Sequence, residues 1–417
     1  MLVLNSLAVT LAVLFSTQQV QAKNENFKEI FGWKEVHFAY PNETVKKEAI
    51  ESKKLIQDHN LPLGLEVYND KLFITLPRWK HGIPATLTYV SLKDADKNKS
   101  PDLIPYPSWK ANDIYDKEDK NTTKIVSTFR VRADECDRLW VMDTGVANIL
   151  GGGEQFTPAK ILVYDLKTDE LIRTFQIKST DIKEDTFFPN IVVDVTKDKC
   201  DQAHAYIPDL GSNALIVYSW SKNDTWRIKH HYFNMDPLAG NYHVAGVNFQ
   251  WVDGLFGIAL SPVQEDGYRT AYFHALSSTR EFTVSTRVLQ NATEAESYYE
   301  YKPLGSRGPN SQATASMLDE KSGVLFYTQV NKNGIGCWNS VKHANEYSAD
   351  TNGLVSSDND TMVFPNDLKV DRDSNLWVLT DKLPLYIYRS LDNDDVNFRI
   401  FKAPVAEVIK GTVCDTK

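Results

Sequence analysis

Beyond its first segment the chain has no apolar run long enough to cross a bilayer as a helix, which excludes a helical membrane anchor there. It has no clustered Lys/Arg stripe and a formal net charge of −9, which excludes the electropositive face that nucleic acid needs. His-Glu-x-x-His, Gly-x-Ser-x-Gly and a phosphate loop are all missing, so the commonest hydrolase and nucleotide signatures are excluded too. The nine His are scattered, and His230 and His231 fall on opposite faces if extended, poor geometry for one metal. Asp392, Asp394 and Asp395 lack the Gly and distal Glu of a calcium loop. Gly151-Gly152-Gly153 stands in a polar stretch and reads as a loop. No metal and no cofactor is expected.

What the chain does have is a column of aromatics. Six short apolar strands each place one aromatic in the same position: Phe73, Trp140, Tyr206, Tyr272, Phe326 and Trp377. The spacing is 51 to 67 residues, longer than the roughly 40–45 residues of a minimal four-stranded propeller repeat, so long loops are implied. Turn-like clusters such as Glu135-Cys136-Asp137 and Arg372-Asp373-Ser374 precede most of these aromatics, and another apolar run precedes each cluster. Every unit therefore reads as strand, tight turn, strand. One hairpin cannot bury its apolar face, but six related units packed around an axis can. No Pro/Ser/Gly-rich linker divides the chain. The expected fold is all-β: a six-bladed β-propeller over residues 23–417.

Residues 1–22 read as a signal peptide, with an apolar stretch from Leu7 to Phe15 and a Val20-Gln21-Ala22 ending suited to signal peptidase. Secretion is the expectation. Asn-x-Ser/Thr acceptors at Asn42, Asn98, Asn121, Asn223, Asn291 and Asn359 agree with that route. So does the cysteine usage. Cys136, Cys200, Cys337 and Cys414 are widely spaced with no Cys-x-x-Cys signature, and four cysteines allow three pairings. Cys136 and Cys200 lie in equivalent turns of adjacent units, which favours their pairing and leaves Cys337 with Cys414 as a clasp on ring closure.

Candidate functional residues cluster at the downstream ends of the aromatic strands: Asp143, Thr144, Asp209, Gln329, Thr380 and Asp381. Loops from every blade converge at such ends. Carboxylates gathered there either hold a cationic amine by charge-assisted hydrogen bonds or cap strands and turn amides. An internal echo, Phe188-Pro189-Asn190 and Phe364-Pro365-Asn366, opens two of the hairpins. Its Pro fixes the entry of a strand, and its Asn bonds local amides or points into the axial funnel.

The strings LPLGLEVYNDKLFITLPRWKHGIPATLTYV, ECDRLWVMDTG, VAGVNFQW, GLFGIALSPVQEDGYRTAYF, VFPNDLKVD and LWVLTDKLP resemble the Yellow and major royal jelly protein family of insects, with matches from about Phe31 to Cys414. The resemblance implies a secreted six-bladed propeller and, for the Yellow branch, a role in melanin pigmentation or cuticle maturation. Some members are credited with dopachrome conversion, and salivary members bind biogenic amines. The amine-holding Thr, Asn and Phe of those salivary members fall on Asn366, Asp381 and Leu383. Loss of the Phe ring removes a stacking surface worth roughly 0.5–1.5 kcal/mol. The expected ligand is a small catechol, indole or amine. Two other readings stand beside ligand binding: an isomerase acting on dopachrome, and a structural or partner-binding propeller.

Overall fold

The computed structural model describes residues 25–116 and 122–417. The expected signal peptide and Asn121 lie outside the described residues. Six four-stranded antiparallel sheets follow one another along the chain and form a six-bladed β-propeller. The innermost strands are Gly64–Tyr68, Thr128–Ala133, Val192–Asp194, Leu255–Leu260, Ser316–Asp319 and Pro365–Val370, which number blades 1 to 6.

All six column aromatics sit on the second strand of their blade. Each packs into the seam with the following blade. Phe73 joins Val131, Val141 and Tyr164 of blade 2, and Trp140 joins Ile207 and Tyr218 of blade 3. Trp377 closes the ring against Leu65, Leu72 and Ile74 of blade 1. One aromatic per repeat thus supplies one seam, and burying such a ring is among the largest single apolar contributions available to a core. Trp140 and Trp377 also donate their indole N–H to the hairpin carboxylates Asp134 and Asp371, both at 2.8 Å.

Closure brings the two ends of the described chain into one sheet. Lys28–Trp33 is the outermost strand of blade 6 and pairs antiparallel with Phe398–Pro404, Phe31 opposite Ile400 and Trp33 opposite Phe398. Two disulfides reinforce the ring. Cys136–Cys200 ties the first hairpin turns of blades 2 and 3, and Cys337–Cys414 ties the C-terminal tail to the third strand of blade 5. Of the acceptor asparagines, Asn42, Asn98, Asn223, Asn291 and Asn359 are all exposed.

Candidate functional site

The inner strands surround an axis, and a single side chain divides it. Arg130, mid-strand in blade 2, is fully buried and donates to the Thr314 carbonyl at 2.8 Å and the Asn366 carbonyl at 2.6 Å. Thr314 enters blade 5, the blade diametrically opposite, so the guanidinium crosses the axis. Its Nε lies 3.2 Å from Asp367 Oδ1, and its plane rests on the Phe256 ring at 4.6 Å. A buried pair of this kind costs desolvation of both ions, offset here by the carbonyls and amides around it. Two axial regions result.

The first contains the strand-end residues. Asn366 and Asp381 come together: the Asn366 amide donates to Asp381 Oδ2 at 2.6 Å, and the Leu383 backbone N–H donates to Oδ1 at 3.0 Å. Leu383 opens the short helix Leu383–Tyr388 and packs in the same apolar cluster as Phe364 and Tyr242. All three are buried. Burial pushes the Asp381 carboxyl well above the usual carboxylate range; the Asn366 amide, the Leu383 N–H and the Arg130 charge pull the other way without cancelling it.

Asp143 and Asp209 occupy the equivalent strand ends in blades 2 and 3, but their chemistry is consumed locally. Asp143 accepts from the Val126 and Ser127 amides and from Lys160 Nζ at 2.7 Å. Asp209 accepts from the Phe187 amide and from Arg227 at 2.7 Å. Each carboxylate clamps the loop entering its own blade, and each carries a cation. Among the described residues Asp381 has no Lys or Arg within ion-pairing distance. Thr380 bonds the Thr361 carbonyl at 3.3 Å. Thr144 bonds the Ser127 carbonyl at 3.1 Å, and the Gln329 side-chain Oε1 is buried without a partner among the described residues.

A hairpin from the blade 3 to blade 4 connection, Asn241–Val244 and Val247–Gln250, lies over the Asp381 end. Its turn, Ala245-Gly246, has positive φ at both positions, the geometry that suits a two-residue hairpin. Tyr242 stacks on Phe249 at 5.0 Å, Trp251 meets Phe364 edge-on at 6.0 Å, and Trp251 Nε1 donates to Tyr388 OH at 2.7 Å. The hairpin thus reaches the Leu383–Tyr388 helix of blade 6 and seals this end with aromatic surface.

The second axial region is open. A cavity of about 370 Å³ lies on the far side of Arg130 and emerges among the first hairpin turns, at Glu135, Glu320 and Arg372. The inner-strand residues paired with the six column aromatics all line it: Glu66, Arg132, Val192, Ala259, Met317 and Lys369. Sequence reasoning missed this layer, although counting back across each hairpin from its aromatic reaches it. The echoing asparagines also part company. Asn190 lines the cavity, whereas a β-bulge between Pro365 and Asp367 places Asn366 one residue further along the axis, at Asp381.

Comparison with known proteins adds sequence kinship. The family model described as "Major royal jelly protein" matches residues 126–414. "Protein yellow" of Drosophila melanogaster is 42% identical over 393 residues, covering 94% of this chain and 71% of that protein. "Protein yellow" of Drosophila pseudoobscura pseudoobscura is 41% identical over 417 residues, covering 99% and 72%. Solved structures with lower likeness include a luciferin-regenerating enzyme, 10% identical with a TM-score of 0.48 over 83% of this chain and 92% of that one. Virginiamycin B lyase from Staphylococcus aureus is 11% identical with a TM-score of 0.42 over 83% and 96%.

Proposed function

The chain belongs to the Yellow and major royal jelly protein family, and from that membership we propose that it is a secreted protein of melanin pigmentation or cuticle maturation that binds a small catechol- or indole-derived amine at Asn366, Asp381 and Leu383. One observation carries the reading: among the described residues Asp381 is the buried strand-end carboxylate without a cation of its own, while Asp143 and Asp209 each hold one. An ammonium group would supply the missing charge by a charge-assisted hydrogen bond. Asn366 orients the carboxylate, and the apolar surface of Leu383 and Phe364 suits a ring. Access requires the Asn241–Gln250 hairpin to lift. The test is titration of dopamine and of neutral catechol into the glycosylated protein and its Asp381→Asn variant. Loss of dopamine binding with catechol unchanged supports charge pairing, and equal effects on both contradict it.

The raised proton affinity of Asp381 also favours a second reading, tautomerisation of dopachrome with Asp381 as the proton-carrying group. Dopachrome decay faster than with heat-treated protein, and lost in Asp381→Asn, is its expected result. No acceleration removes it.

A further inference from the structure

We infer that the open axial cavity is a second binding site, separate from Asp381, and that it takes a small carboxylate carrying an apolar or aromatic body. Arg130 separates the two regions. Ser374 at the rim precedes the strand Asn375–Thr380 and Asp381 follows it, about 20 Å of strand, while at the deep end Asp367 lines the cavity next to Asn366 of the other site.

Two cations line the buried floor, Arg132 and Lys369, paired with Glu66 and Asp367, while Arg130 lies beneath Asp367 outside the lining. Carboxylates elsewhere in the lining already have partners: Asp134 accepts from Arg138 and Trp140, Asp319 from Ser322 and Ser374, and Glu320 from Arg269.

Donors are also left over. Lys369 Nζ sits 2.9 Å from both oxygens of Asp367, which uses two of its three N–H groups. Arg132 directs Nη1 to Glu66 Oε2 at 3.3 Å and to Met317 Sδ at 3.5 Å, leaving the rest of its five donors without a protein acceptor among the described residues. The Ser316 hydroxyl is buried in the wall with no partner among the described residues. A carboxylate has two oxygens and needs several donors at once, so it satisfies this set; an ammonium group brings these donors no acceptor. Burial already lowers the proton affinity of Lys369, a cost that an arriving anion relieves.

Apolar side chains also line the cavity, among them Ile191, Val193, Ile258 and Met317. A volume of about 370 Å³ is at the small end of ligand pockets, enough for one ring and a short chain. The inference does not depend on the reading of Asp381, because no residue is shared between the two sites.

Phenylpropionate and phenethylamine share a ring and a short chain and differ in the charged end. Each is titrated calorimetrically into the full glycosylated protein, with melting temperature recorded for every variant. Phenylpropionate is expected to bind, and Lys369→Met to weaken it by about tenfold or more. Met317→Trp fills the cavity without adding or removing a charged group and is expected to abolish phenylpropionate binding in a protein that melts normally. Asp381→Asn should leave phenylpropionate binding unchanged. Absence of phenylpropionate binding, or binding that survives Met317→Trp, overturns the inference. Tighter binding of phenethylamine than of phenylpropionate at a site lost in Met317→Trp overturns it as well.

Discussion

The Asn366 amide donates to Asp381 Oδ2 at 2.6 Å across the entrance to blade 6, and this is the only side-chain hydrogen bond to that carboxylate among the described residues. Everything proposed for the sealed end of the axis follows from how little else stabilises the charge.

Stability should report it directly. The folded-state pKa of Asp381 is raised, so the carboxyl contributes stability that is fully present below the ordinary carboxylate range and is lost as pH rises through the raised value. Asp381→Asn removes the titration and keeps the shape. The melting temperature of the variant relative to the parent is therefore expected to be highest above the raised value, to fall as the solution is acidified from there toward about pH 4, and to level off below it. A constant difference across that range contradicts the assignment.

The seams give a second prediction. Trp140 is fully buried between blades 2 and 3 and hydrogen-bonded to Asp134. Trp140→Ala is expected to cost about 3–5 kcal/mol in chemical denaturation. Trp140→Phe, which keeps most of the ring and loses the N–H, should cost markedly less.

A buried charge network in blade 4 gives a third. Glu281 Oε2 accepts from Arg307 at 2.5 Å and lies 2.9 Å from His274 Nδ1, with all three side chains fully buried. Glu281→Ala leaves Arg307 uncompensated and is expected to destabilise by about 3–5 kcal/mol. The double variant Glu281→Leu with Arg307→Met should recover a substantial part of that loss, as a denaturation series will show.

Closure of the ring is the fourth. Cys337–Cys414 ties the tail after the last strand to blade 5. Replacing both cysteines by Ser is expected to lower stability by about 2–4 kcal/mol, measured against the parent under non-reducing conditions. Blade 6 should lose amide-exchange protection before blades 2 to 4 do.

The column of aromatics made the fold legible, because a propeller repeats one packing solution and repetition survives loop variation. Asp134 and Asp371, each six residues ahead of a column Trp, repeat in the same register, but their bonds to the indoles emerged only in the structure. The strand-end carboxylates were not separable by sequence: Asp143 and Asp209 follow their column aromatics by three residues and Asp381 by four, and what sets the first two apart is Lys160 and Arg227, brought in from the third and fourth strands. Arg130 carried no local signal, since its partners Thr314 and Asn366 are distant in sequence and meet it only across the closed ring. The cavity layer was hidden for a simpler reason. Its six residues have no shared chemistry, only a shared register opposite the aromatics.

The measurement that tests the central claim most directly is proton release on dopamine binding, obtained by calorimetry in two buffers of different ionisation enthalpy at neutral pH. If an ammonium group pairs with Asp381, the carboxyl gives up its proton as the complex forms, so the parent protein should release protons and its affinity should rise with pH. Asp381→Asn should release none. Dopamine binding without proton release, or release that persists in Asp381→Asn, would contradict the account.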